Sequence, residues 1–88
     1  MSGLSEIEFA VMDEIYFPAT FQLIVKNTKG ENTLIKSILK NLLEKKFVHQ
    51  MKYNEQLNDY ERCLDSDFEN IEKYLYVASK NGLLAHNS

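Results

Sequence analysis

The sequence has little of what several classes of protein require. Its 88 residues include one cysteine, one proline, three glycines and no tryptophan. A single cysteine, Cys63, excludes an internal disulfide framework and favours a reducing, cytoplasmic location. No run of about 20 apolar residues is present, so no membrane-spanning helix is predicted. Residues 1–25 contain no Lys or Arg, so neither a secretory signal nor a transit peptide is expected.

Residues suited to catalysis or metal binding are also scarce. His49 and His86 are the only histidines, and neither has a Cys or a second His at ligand spacing, so no metal site is predicted. The acidic surroundings of Cys63 make it a poor nucleophile. Gly30 stands alone and cannot form a phosphate-cradling glycine loop. We therefore predict that the chain is not an enzyme and needs no cofactor.

What remains is the composition of a small soluble domain. The chain is 44% hydrophobic and 26% charged, as in ordinary globular proteins. A domain of this length buries enough apolar surface to fold without disulfides or metal ions. We predict one domain over residues 1–88.

The net charge of −3 conceals an uneven distribution of charge. Residues 26–52 hold seven lysines and two glutamates, a net charge of +5, whereas the segments before and after them each carry −4. A block of charge is commonly just a solvated face. A basic segment within an acidic chain also marks a surface that faces a polyanion.

The apolar spacing near the start of the chain predicts a first helix. Ser5 and Glu8 have the spacing of a capping box, and Pro18 ends the helical pattern, so the helix is predicted over residues 4–17. One apolar stripe of this helix faces the core. A second, offset stripe indicates either a wide buried face or a dimer surface. Its members are Phe9, Met12 and Tyr16.

Two more helices are predicted, with a glycine-containing turn between them. The second covers residues 20–27, with Thr20 as its cap, and the third covers residues 32–46. Gly30 supplies the turn with backbone angles that other residues avoid. The third helix has an apolar stripe on one side and lysines among polar residues on the other. The apolar stripe consists of Ile35, Ile38, Leu39 and Leu42.

The second half of the chain is predicted to contain two strands. Alternation favours a strand over residues 47–53, and aromatic and branched residues favour another over 71–78. A long acidic connection, residues 54–70, joins them. A short helix or tail ends the chain. The spacing of apolar residues leaves a second interpretation open, in which residues 57–81 are helical.

This order of elements, with a short turn between the second and third helices, is that of a winged helix. The stretch LKNLLEKKFV, residues 39–48, resembles the end of the recognition helix and the start of the wing in winged-helix transcription regulators. The stretch YVASKNGLLAH, residues 76–86, resembles their second wing strand and the turn after it. The chain departs from the family in two places. Lys46 stands where a glycine is usual, and the connection 54–70 is longer and more acidic than a usual wing.

The resemblance implies an α+β, mainly α fold: a three-helix helix-turn-helix core, a two-stranded wing and a short C-terminal helix or tail. It also implies transcriptional regulation, with the third helix in the major groove of double-stranded DNA and lysines on phosphates. A homodimer formed through the Phe9, Met12 and Tyr16 stripe would present two such helices. The predicted DNA-binding residues are Lys26, Lys29, Asn32, Thr33, Lys36, Ser37, Lys40, Asn41 and Lys52.

Two other functions remain open at this stage. In the first, the same domain binds no DNA and uses the acidic segment 53–72 as a surface for a protein partner. In the second, helical residues 57–81 make the chain an all-helical interaction protein without a wing. Fold alone does not decide between uses of one domain.

Overall fold

The computed structural model describes residues 4–87. Helices and short strands alternate in the first half, and most of the sheet comes from the second half. In chain order the elements are α1 (Glu6–Asp13), β1 (Ala19–Thr20), α2 (Phe21–Thr28), α3 (Asn32–Glu44), β2 (Val48–Asn54), β3 (Asp59–Arg62), a 3₁₀ helix (Ile71–Lys73), β4 (Leu75–Ala78) and α4 (Lys80–His86).

The predicted architecture of three helices and a two-stranded wing is wrong. The strands form one four-stranded antiparallel sheet in the order β1–β4–β2–β3. The chain does end in a short helix, α4, in agreement with the predicted C-terminal helix or tail. Strand β2 pairs on one side with β4, where Val48 lies opposite Ala78, and on the other with β3, where Met51 lies opposite Arg62. The fold is α+β, and its sheet is twice the predicted size.

Two strands were missed because they carry almost no local signal. Strand β1 has two residues and exists only because it pairs with β4, where Ala19 lies opposite Tyr76. Strand β3 lies within the connection 54–70, and three of its four residues are exposed. A strand exposed on both faces shows no alternation of apolar and polar residues. The strand predicted over 71–78 is shorter in the structure, because residues 71–73 form the 3₁₀ helix and β4 begins at Leu75.

Local signals locate the helix starts well. The Ser5 hydroxyl accepts the Glu8 N–H at 3.3 Å, and the Glu8 carboxylate accepts the Ser5 N–H at 3.0 Å, which completes the capping box of α1. The Thr20 hydroxyl caps α2 in the same way. Helix α1 ends at Asp13, four residues before the predicted end, because the chain turns ahead of Pro18 to enter β1.

The core lies between the helices and one face of the sheet. Helix α3 contributes its predicted apolar stripe, and the sheet contributes Val48 and Tyr76. Helix α4 packs close to this core through Gly82, where a Cβ atom would lie 1.9 Å from the carbonyl oxygen of Phe47. Only glycine permits that approach. The buried apolar residues are Val11, Met12, Ile15, Ala19, Phe21, Ile24, Ile35, Ile38, Leu39, Leu42, Leu43, Val48, Ile71 and Tyr76.

The acidic connection is ordered around Asp67. Its carboxylate accepts hydrogen bonds from the backbone N–H groups of Glu69 and Asn70, from the Asn70 amide, and from the Tyr74 hydroxyl at 2.8 Å. The hydrogen bonds from the side chains of Asn70 and Tyr74 hold the pKa of Asp67 below its ordinary value. Hydrogen bonds to Asp67 therefore give this part of the chain a defined loop conformation.

Candidate nucleic-acid interface

Helices α2 and α3 are joined by a three-residue turn, Lys29–Glu31. Lys29 ends α2 in the left-handed region, with φ of 57°. Gly30 follows it closely packed, because a Cβ atom there would lie 2.8 Å from Cδ1 of the buried Ile35. Glu31 is the N-cap of α3, and its side chain makes no capping hydrogen bond. The first N–H groups of α3 are thus left without a side-chain acceptor.

The two faces of α3 separate as predicted. Its apolar stripe is fully enclosed by the core. The opposite face presents hydroxyl, amide and ammonium groups, which suit base edges and phosphates in a major groove, together with the carboxylate of Glu44. The exposed residues of this face are Asn32, Thr33, Ser37, Lys40, Asn41 and Glu44.

Three of the predicted phosphate-binding lysines are free. Lys26 on α2, Lys29 in the turn and Lys40 on α3 are exposed, and none of them forms an ion pair within residues 4–87. An unpaired, exposed ammonium group meets a phosphate without first breaking an internal contact. These three lysines are the strongest cationic positions of the predicted interface.

Lys36, a predicted DNA-binding residue, forms an ion pair within the chain. Its Nζ lies 2.9 Å from Oε2 of Glu72 in the 3₁₀ helix. That oxygen is shielded from solvent, and the Lys36 ammonium is the charged group against it. The hydrogen bond and charge of Lys36 lower the pKa of Glu72. Gln22 on α2 also donates to the Glu72 carbonyl at 3.2 Å. The 3₁₀ helix therefore contacts both α2 and α3 through Glu72.

Lys52 is likewise partly neutralised. It lies opposite Glu61 in the β2–β3 pair, and its Nζ is 3.8 Å from the Glu61 carboxylate. The turn that joins the two strands adds Glu55, and Asp59 begins β3. The β2–β3 hairpin is therefore a net acidic projection, and Lys52 is a weak candidate for phosphate contact.

The predicted dimer stripe of Phe9, Met12 and Tyr16 is partly covered by the chain itself. Met12 is completely buried. The Phe9 ring packs on His86 of α4 with 4.9 Å between ring centroids, and the Tyr16 hydroxyl shares a hydrogen bond with His86 Nδ1 at 2.7 Å. Nε2 of His86 lies 2.7 Å from the Asp13 carboxylate. Helix α4 thus packs against Phe9 and Tyr16, and the Tyr16 side chain remains 46% exposed.

One further position was missed by sequence reasoning. Lys46 adopts a φ of 63°, and the Phe47 N–H reaches back to the Leu42 carbonyl at 2.9 Å, which is the Schellman ending of a helix. That is the position where winged-helix regulators carry glycine. The departure from the family pattern was visible in the sequence, but the left-handed backbone at Lys46 was not.

Comparison with known proteins does not identify a family. No family model matches the chain, and no curated protein matches it. Among residues 4–87 no helix combines the length and apolar character needed to cross a membrane. Within the same range no three Asp, Glu, His or Cys side chains are grouped as metal ligands would be.

Proposed function

We propose that the chain binds double-stranded DNA as a cytoplasmic transcriptional regulator, with α3 in the major groove. The observation that carries the proposal is the exposed polar face of α3 with an unpaired lysine, Lys40, at its centre. A helix-turn-helix that buries one side of its second helix and exposes hydrogen-bonding groups on the other has the arrangement needed for groove binding.

The chemistry of the face suits a groove. Thr33 and Ser37 are able to donate or accept, and Asn41 offers both an amide donor and a carbonyl acceptor to base edges. Lys26 and Lys29 flank the face and would contact phosphates. The helix has no arginine, the commonest reader of guanine, so we expect shape and deformability of the duplex to contribute to specificity.

The net charge of −3 argues for a homodimer on DNA. A single copy carries too little positive surface to hold a polyanion against the acidic hairpin. Two copies on successive half-sites present two α3 faces to one duplex. Their contact does not run through Met12, which is buried within one chain.

The test is fluorescence anisotropy of a random-sequence duplex over a range of salt concentrations. We expect Lys40→Glu to weaken binding by at least about tenfold at low salt and to reduce the salt dependence. Lys36 is unsuitable for this experiment, because its removal also releases Glu72. Lys73→Glu is the matched control, since it makes the same change of charge at an exposed lysine of the 3₁₀ helix.

The outcomes are separable. Selective loss of affinity in Lys40→Glu, with Lys73→Glu close to the parent, supports α3 as the contact surface. Equal loss in both variants would mean that only net charge matters. No binding by the folded parent protein at low salt would contradict the proposal.

A second candidate function is protein contact through the β2–β3 hairpin. Tyr53 and Tyr60 face each other across the strands with 5.2 Å between ring centroids, and each is 46% exposed. Leu57 in the turn is 67% exposed. Exposed aromatic and apolar side chains beside Glu55 and Asp59 suit a partner surface that is apolar with a basic rim. Replacing residues 55–58 with a two-residue Asn-Gly turn should abolish such a complex and leave DNA affinity intact.

A further inference from the structure

A cleft lies on the molecule where four elements meet. The end of α3, the start of β2, the end of β3 and the start of α4 enclose a volume of about 460 Å³. That volume is within the range of sites for small molecules. The cleft belongs neither to the exposed face of α3 nor to the tip of the β2–β3 hairpin.

Cations from three different elements line this cleft. Lys46 follows α3, Arg62 ends β3 and Lys80 begins α4, and all three are exposed. None of the three forms an ion pair within residues 4–87. No carboxylate is among the lining residues. Glu61 and Asp65 line an adjoining hollow that shares Arg62, Cys63 and Leu64 with the cleft, and the charges of Asp67 and Glu61 act on the Cys63 thiol. Three unpaired cations around one concavity favour an anion as its ligand.

The neutral groups of the cleft add hydrogen-bond donors. Ser66 and Asn81 are exposed in its wall, and their side chains make no hydrogen bond within the described residues. His49 also lines the cleft. Burial raises the pKa of the Cys63 thiol, which therefore stays protonated at neutral pH and adds no negative charge.

We propose that this cleft binds a small organic anion that carries a phosphate group. The planar guanidinium of Arg62 matches two phosphate oxygens at once, whereas Lys46 and Lys80 act as point charges. A dianionic phosphate fits three cations better than a single carboxylate does. The proposal is independent of DNA binding by α3.

His49 provides a local readout of binding. Burial lowers the pKa of this imidazole, and the nearby charge of Arg62 lowers it further. Lys46 and Lys80 are the other cations of the same cleft. An anion bound among them favours the imidazolium form, so the pKa of His49 should rise when the cleft is filled.

The experiment is NMR of the full chain titrated with inorganic pyrophosphate, with sodium chloride at equal ionic strength as reference. We expect saturable shifts confined to the lining residues and an upward shift in the pKa of His49. Lys46→Gly should weaken binding about tenfold, since it removes one charged partner. This variant suits a residue with positive φ, and Lys80→Gln is a second variant that does not depend on it. Lys73→Gln is the matched control.

A second arm separates a small ligand from a DNA backbone. An unphosphorylated duplex, whose phosphates are all diesters, is added to the pyrophosphate complex. We expect the cleft signals to persist. Displacement of pyrophosphate by the duplex would assign the cleft to a DNA footprint and overturn the proposal. Shifts no larger than those with sodium chloride, or equal weakening by Lys73→Gln, would overturn it as well.

Discussion

The buried side chain of Gln50 holds the backbone of Asp67 as a neighbouring strand would. Its Nε2 donates to the Asp67 carbonyl at 2.9 Å, and its Oε1 accepts the Asp67 N–H at 2.7 Å. Nε2 also donates to the Tyr76 hydroxyl, which itself donates to the Ile71 carbonyl at 2.6 Å. One amide in the sheet thus attaches the acidic loop to the core.

Replacing Gln50 should release this loop. Gln50→Leu keeps nearly the same volume but leaves the two backbone groups of Asp67 without their partner, at a cost of about 1–3 kcal/mol. Urea unfolding measures the loss of stability, and hydrogen exchange at the Asp67 amide should accelerate. A Gln50→Leu variant as stable as the parent, with that amide still protected, would contradict the role assigned to the side chain.

The Glu8 carboxylate predicts a stability change at acid pH. Burial alone raises its pKa, but hydrogen bonds from Ser5 and the ion pair with Lys45 at 3.3 Å outweigh burial, so the pKa is lowered from 4.5. A carboxylate whose pKa is lower in the folded than in the unfolded state stabilises the fold at every pH above its unfolded-state pKa. That stabilisation is lost as the pH falls through the folded-state pKa. The Tm difference between the parent and Glu8→Gln should therefore be constant well above the ordinary carboxyl pKa of 4.5 and shrink as the pH falls through the lowered pKa of Glu8. A difference independent of pH would contradict this assignment.

Lys46 is held in a backbone conformation that glycine adopts without strain. We expect Lys46→Gly to be more stable than Lys46→Ala by about 1 kcal/mol, because both remove the side chain but only glycine relieves the positive φ. Chemical denaturation of the two variants gives the difference directly. If alanine equals or exceeds glycine, the Schellman ending of α3 is absent in solution.

The uncapped start of α3 predicts a change that improves both stability and DNA affinity. Glu31→Asn supplies a side chain that caps the helix, worth about 1 kcal/mol, and removes a negative charge from the proposed interface. Anisotropy with a duplex should show tighter binding. Glu55→Asn is the control, since it makes the same charge change in the hairpin turn. Greater stability with unchanged affinity would remove the start of α3 from the interface.

Only part of the candidate interface was predictable from sequence. Lys40 lies exposed on α3 as its spacing predicts, because the position of a residue on a helix follows from the 3.6-residue period. Lys36 is predicted on the same face of α3 as Lys40, but it forms an ion pair with Glu72, which lies 36 positions further along the chain. Lys52 forms an ion pair with Glu61 on β3, a strand that was not predicted from the sequence. A charge is visible in a sequence, but its neutralisation depends on a distant partner.

The sequence by itself determined the features that arise within a few residues. The Ser5–Glu8 capping box, the glycine turn before α3 and the apolar stripe of that helix all depend on contacts between near neighbours. The tertiary structure alone decided the sheet order, since β1 pairs with a strand more than 50 residues away. It also decided that α4 covers Phe9 and that three cations surround one cleft. Each of these features depends on contact between segments that are far apart in the sequence. Burial of the common core brings such segments together.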